Sequence, residues 1–264
     1  MDKAEAPALS IIVATYNSSA TLRACLDSLP PQEAVAYELL VVDGGSSDAT
    51  VAIAQGYAPT VLISEADRGI GDAWNKALAR AQGEVIAFLN SDDAVPEGYF
   101  PARLAHLKQC GRGVVTYADT LYLGRSGPEL RPGRFRPERL ELGFGFYHTS
   151  TLWPRPFFDR FRFNPELRVA VDIDQMFTAL RQGWRFEKGP GHNLMRAGGV
   201  SDRRWGQGVR EYRRLFVAHA QPGPLGVLLS YAKAEVRILL RRTGGFALLR
   251  RLRRFFLPSR AQHS

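Results

Sequence analysis

The chain has 264 residues, 45% hydrophobic and 23% charged, an ordinary globular balance that excludes a disordered or low-complexity chain. Its formal charge of +9 is uneven: eight arginines (Arg237, Arg241, Arg242, Arg250, Arg251, Arg253, Arg254, Arg260) follow the last acid, Glu235, and setting them aside leaves 27 of the 35 Lys and Arg against 26 acids. No apolar run reaches the roughly 18 residues that span a bilayer, the acidic start MDKAEAPALS predicts no secretory signal, and Cys25 and Cys110 fit no metal spacing and point to a reducing compartment.

In chain order, LSIIVATYN (9–17) reads as a buried strand, and SSATLRACLDSL as a helix with Ser18 or Ser19 as N-cap. YELLVVDGGSSDAT gives a second strand closed by Asp43, with Asp48 placed to cap a helix over 49–55. TVLISE is a third strand, GIGDAWNKALARAQG a helix ending near Gly83, and EVIAFLN a fourth strand. Continuous apolar strands alternating with amphipathic helices predict a mostly parallel sheet covered on both faces. In such sheets the ligand lies off the carboxyl ends of the strands. Polar residues fall at those ends: Thr15-Tyr16-Asn17, Asp43-Gly44-Gly45, Glu65 to Gly69, and Asn90 to Asp93.

Further on come a helix near 98–109, a strand GVVTYAD, a strand-like TLYLG, and RSGPELRPGRFRPERL as a Pro/Gly/Arg-rich loop. GFYHTSTLW returns to the sheet, AVDIDQMFTALRQG is a helix opening on two acids, and WRFEKG is a short strand. A helix capped by Ser201 or Asp202 follows, then helical stretches near 223–241 and 244–257. The expected organisation is a domain over 1–220 and a basic amphipathic helical tail over 221–264.

A dinucleotide fold would place G-x-G-x-x-G after the first strand, where this chain has ATYNSSAT, and no phosphate-binding P-loop is present. Instead, SIIVATYN, ELLVVDGGSSDAT, DRGIGDAWNKALARAQGEVIAFLNSDD and GGVSD, in that order, resemble the family 2 glycosyltransferases of the GT-A fold. The resemblance covers about residues 8–215 and implies an α/β, Rossmann-like GT-A domain with a C-terminal helical extension. It implies an enzyme of the hexosyltransferase type: a metal-dependent, inverting transfer of one sugar from a nucleotide-sugar, expected to be a UDP-sugar. The acceptor implied is a hydroxyl of a saccharide or lipid-linked saccharide in cell-surface polysaccharide synthesis. The Q-x-x-R-W signature of processive members is missing, which favours one sugar per encounter.

The resemblance also assigns residues. Asp43 would accept a ring N–H of the base, flanked by Thr15, Tyr16 and Asn17. Asp92 and Asp93 match the acidic metal motif, with Mg²⁺ or Mn²⁺ as cofactor: Asp93 on the metal, Asp92 on the ribose or a metal-bound water. Arg68 would reach the diphosphate, while Asp72 and Lys76, at i and i+4, would only pair on a helix face; Asn75 would meet ribose or sugar hydroxyls. Asp172 aligns with the catalytic base, Asp174 standing in reserve, and both also suit a helix N-terminus. His148 is read as structural before functional. The tail interleaves Leu and Phe with arginine, which fits an anionic membrane surface better than nucleic acid; a helix packed on the domain is the alternative. The location expected is cytoplasmic, peripheral on the inner face of the membrane. The rival to an enzyme is a nucleotide-sugar-binding or scaffolding module without turnover.

Overall fold

The computed structural model describes residues 6–31, 34–124, 126–199, 203–221 and 223–242. Strands β1 (Leu9–Thr15), β2 (Tyr37–Asp43), β3 (Val61–Ser64) and β4 (Val85–Asn90) alternate with helices α1 (Leu22–Asp27), α2 (Thr50–Gln55) and α3 (Ile70–Leu78). They pair in parallel in the order β3-β2-β1-β4. Because β-strand side chains alternate in direction, an unbroken apolar strand feeds two cores. Ile12, Leu40, Ile86 and Phe88 face Trp74 of α3 and Phe177 on one side. Ile11, Val13, Val41 and Leu89 face Leu22 and Leu26 of α1 on the other.

The register makes the carboxyl edge level: Thr15 lies beside Asp43, Asp43 beside Ser64, and Ala14 beside Asn90. The opposite edge is tied by a buried carboxylate. Glu38 Oε1 accepts from the N–H groups of Gln82 (2.5 Å) and Gly83 (2.9 Å) and from the Ser10 hydroxyl (2.5 Å). Gly83 is required there, since a Cβ on it would fall 2.5 Å from Ser10 N and 2.6 Å from Leu9 C.

The second half adds α4 (Tyr99–Cys110), β5 (Val114–Gly124), β6 (Gly127–Arg131), β7 (Leu152–Pro154), α5 (Arg155–Arg160), α6 (Val171–Arg181), β8 (Arg185–Arg196), α7 (Trp205–Ala220) and α8 (Pro224–Arg242). β7 runs antiparallel to β4, β5 antiparallel to β7 and β6, and β8 parallel to β5. Three expectations change. GVVTYAD and TLYLG form one strand, β5, and the Pro/Gly/Arg-rich loop contributes β6 as its hairpin partner. The short strand WRFEKG is the start of the twelve-residue β8, which runs through Pro190 beside a register shift in its pairing with β5.

The capping residues also differ. α1 has no side-chain cap; Ser18 uses its hydroxyl on Ser91 Oγ (2.8 Å), joining the β1 and β4 loops. Asp48 does take the Thr50 N–H at the start of α2 (3.0 Å), and also that of Ser19 (3.1 Å). The caps proposed at Ser201 and Asp202 and the helix at 244–257 lie outside the described residues. α8, the first part of the predicted tail, packs on α7. Arg103 of α4 is fully buried and donates to Tyr117 O (2.6 Å), Ser150 O (3.0 Å) and Thr116 Oγ1 (3.1 Å). Among the described residues no helix is long and apolar enough to cross a membrane.

Candidate active site

Four loops leave the level edge. The first, after β1, carries Thr15, Tyr16 and Asn17. Asn17 has φ 47°, and its Oδ1 accepts the Ser47 N–H (2.9 Å), binding this loop to the one after β2. Tyr16 is 64% exposed, a large ring held in solvent at the mouth of the crevice. Its edge and the Asp67 carboxylate flank Gly44, where a Cβ would meet Asp67 Oδ2 at 2.5 Å. Gly44 is required there, because Asp67 and Tyr16 already fill the space a side chain would take. The Thr15 hydroxyl is buried with no partner among the described residues.

Asp43 does first what aspartates do at turns. It is wholly buried, and its Oδ2 accepts from Gly45 N (3.1 Å), Ser46 N (2.9 Å) and Ser64 Oγ (2.8 Å), with the Ser46 hydroxyl on Oδ1. Oδ1 thus has one partner where Oδ2 has three. Arg68 pairs with Asp72 (3.0 Å), and that bond is the first cause of the lowered Asp72 pKa. Lys76 completes the group with Glu65 (2.9 Å). Asn75 Nδ2 donates to Phe163 O (2.8 Å) and its Oδ1 accepts the Phe163 N–H (2.9 Å), so the amide clamps α3 to the segment before α6, with one further N–H and one lone pair beyond these bonds.

The acidic loop after β4 is anchored from three directions. Asp93 is buried, accepting from Asn90 Nδ2 (3.0 Å) and Arg196 N (3.3 Å). Thr149 also lies close enough to oppose the rise in its pKa. Thr149 in turn accepts from Asn193 Nδ2 (2.9 Å), whose Oδ1 accepts from Thr120 (2.7 Å), a connected polar chain under the acid. The Ala94–Leu194 bridge fixes the loop to β8. Burial, then the neighbouring Asp92, pushes the Asp93 carboxyl up to about 7. Burial raises Asp92 as well, against the opposing pull of Arg196 and Arg203.

Neither acid forms an ion pair among the described residues. No third His, Cys, Asp or Glu joins them there. Two adjacent carboxylates without a cation fit Mg²⁺ or Mn²⁺, hard ions that commonly take one or two carboxylates and fill the remaining positions with phosphate oxygens and water.

α6 brings the last acids. Its start lies against the start of α3: Val171 Cγ1 would be 2.8 Å from a Cβ on Gly71, and Arg168 donates to Arg68 O. Asp172 is half-buried, and burial pushes its carboxyl up to about 6, against hydrogen bonds from the Ile173 N–H and its own. Asp174 is raised by burial and drawn down by Arg181. The residue that sets this helix is Glu211 of α7, buried, whose Oε2 accepts Val169 N–H (2.9 Å) and Ala170 N–H (2.9 Å) and whose Oε1 accepts Gln207 Nε2 (2.8 Å). Its one sequence signal is that it is the sole acid of α7. Glu211→Ala is expected to cost about 3 kcal/mol, because each buried N–H left without an acceptor costs about 1–3 kcal/mol. A lower urea midpoint at unchanged m-value measures it, and Glu211→Gln recovers part. A Glu211→Ala protein as stable as the parent refutes the role.

His148 sits in an aromatic box of Trp74, Phe88 and Phe163, with ring centroids 4.9, 4.9 and 6.1 Å away. Burial lowers its pKa to about 3, so the imidazole is neutral core, as the lone histidine suggested.

A sequence model described as Glycosyl transferase family 2 matches residues 10–183. The chain belongs to that family. A PGL/p-HBAD biosynthesis glycosyltransferase of Mycobacterium tuberculosis is 34% identical over 176 residues, 64% of this chain and 68% of the relative. The succinoglycan biosynthesis protein ExoO of Rhizobium meliloti is 31% identical over 201 residues, 68% of this chain and 57% of that protein.

Among solved structures, S. aureus TarS 1-349 with UDP-GlcNAc aligns with TM-score 0.61 at 20% identity, covering 79% of this chain and 66% of that one. Glucosyl-3-phosphoglycerate synthase of Mycobacterium tuberculosis with Mn²⁺, UDP and product aligns with TM-score 0.60 at 19% identity, covering 83% and 82%. These likenesses establish the GT-A fold for this glycosyltransferase. The family match ends at residue 183, so Glu211 and the α7–α8 pair lie beyond it.

Proposed function

We propose that this glycosyltransferase moves one sugar from a nucleotide-sugar, a UDP-sugar by preference, to a hydroxyl of a saccharide or lipid-linked saccharide, inverting the anomeric centre. The observation that carries the reading is the level carboxyl edge: Asp43 and the Asp92–Asp93 pair stand off β2 and β4, the two strands that flank β1, and the start of α6, which carries Asp172, packs against the start of α3 just after Arg68. The named relatives' parts in PGL/p-HBAD biosynthesis and succinoglycan biosynthesis support the acceptor class.

In this reading the base lies against Tyr16, and its ring N–H donates to Asp43. Thr15 and Asn17 border the ribose. Asp93 would hold a divalent cation, with Asp92 on the ribose or a metal-bound water, and that ion would neutralise charge on the diphosphate as the glycosidic bond breaks. Arg68 is 70% exposed on its side chain and swings from Asp72 to a phosphate oxygen, where a guanidinium makes paired hydrogen bonds. Asp172 takes the acceptor hydroxyl's proton as that oxygen attacks from the face opposite the leaving phosphate. One displacement of this geometry inverts the centre. Nucleotide-sugars screened by thermal shift with Mn²⁺ and with chelator test the donor half. A true donor at 100 times its Kd adds about 2.7 kcal/mol; stabilisation by no uridine nucleotide under either condition would reject it.

A further inference from the structure

We infer that α8 docks on an anionic lipid bilayer through an apolar stripe on the side opposite the one it packs on α7. The inward side is ordinary: Ala234 and Ile238 are buried and Ile238 lies against Gly206, while at the margin between the two sides an exposed Glu235 pairs with Arg210 of α7 at 2.8 Å. The outward side is not. Leu225, Leu228, Leu229, Val236 and Leu239 are between 49% and 68% exposed. At 100° per residue they fall, with Ala232, within an arc of about 100°. A helix at the surface of a globular protein needs one apolar stripe; a second one facing water marks an interaction surface. Leu142, 58% exposed in the turn before Gly143, extends the patch and shares a shallow apolar groove with Leu229, Ala232 and Val236.

Charge selects the occupant. Glu235 is the one acid on α8 and is already paired, whereas Lys233 borders the groove. In sequence, Arg237, Arg241 and Arg242 follow on the same helix, then five more arginines and no acid to residue 264. Folding residues 243–264 back onto the stripe would bring arginine toward arginine. A second copy would set the same cations against each other. An anionic lipid surface removes the repulsion and buries the leucines at once, the requirement for a helix lying in the membrane interface. α8 does not have the length and apolarity to cross a bilayer, so it lies on the surface. The inference uses no part of the sugar-transfer chemistry.

The test uses the full chain with phosphatidylcholine vesicles, with and without phosphatidylglycerol. Sedimentation should show binding only to the anionic vesicles. A triple variant, Leu228→Glu, Leu229→Glu and Val236→Glu, should partition at least about tenfold more weakly, because apolar burial is removed while the arginines stay. Circular dichroism checks its fold. Leu229→Trp gives a reading without disruption: its emission should shift to the blue on anionic vesicles alone. Equal binding by the triple variant, no blue shift, or light scattering that shows a dimer dissolved by the triple variant each overturns the proposal. The last outcome would assign the stripe to a second copy.

Discussion

Asp172→Asn is expected to lower kcat by about 10³-fold while leaving UDP binding unchanged, since a positioned general base contributes about 10²–10⁴-fold. The amide keeps the shape and the α6 packing but takes no proton. Burial holds the Asp172 carboxyl up to about 6, above an ordinary aspartate and still ionised at neutral pH, which is where a base works best. The sign follows. Below pH 6 the protonated acid cannot accept the acceptor's proton, so kcat/KM should fall tenfold per unit. Linkage gives a second reading: a carboxyl whose folded pKa is raised contributes stability that is full below about pH 4 and is lost as pH rises through about 6. Asp172→Asn should remove that slope from the melting curve. Asp174→Asn, which changes an acid with Arg181 in its field, should leave transfer within a few-fold of wild type. If Asp174→Asn stops transfer and Asp172→Asn does not, the roles exchange.

The parallel half of the fold was legible because its strands are unbroken apolar runs closed by polar residues, a pattern that no other element in this chain imitates. Asp92 and Asp93 stand out in the sequence for a related reason: a doubled acid at a strand end sets two like charges side by side, which costs energy unless something offsets it. What was not legible depends on partners far away in sequence. Asn75 offers the amide of a sugar-binding residue, but Phe163 comes to it from 88 residues away. Glu211 looks like a surface acid on an arginine-rich helix until the Val169 and Ala170 N–H groups are seen to point at it. Thr149, Asn193 and Thr120 sit on three separate elements, and only the β5–β8 pairing makes a chain of them under Asp93. β6 was hidden because Pro128 and the flanking glycines read as loop, and an edge strand tolerates them.

Asp93→Asn should abolish the Mn²⁺-dependent part of UDP binding and cut transfer by at least about 10²-fold, the rate equivalent of losing a few kcal/mol of charge stabilisation on the leaving diphosphate. The substitution is mild for the fold. The Asp93 oxygens are fixed by Asn90 and the Arg196 N–H, and an asparagine oxygen can keep one of these bonds. It also removes a buried carboxylate that sits beside a second acid. The melting temperature without nucleotide should therefore not fall. The loss should appear only when UDP and Mn²⁺ are added together, as a missing gain where wild type at 100 times Kd gains about 2.7 kcal/mol. Asp92→Asn differs in kind: assigned to the ribose or a metal-bound water, it should weaken UDP binding while the response to Mn²⁺ remains. Calorimetric titration of UDP with Mn²⁺ and with chelator separates the two. If Asp93→Asn protein binds UDP with undiminished Mn²⁺ dependence, the cation is held elsewhere, and the buried acid serves only to close the β4 loop onto β8.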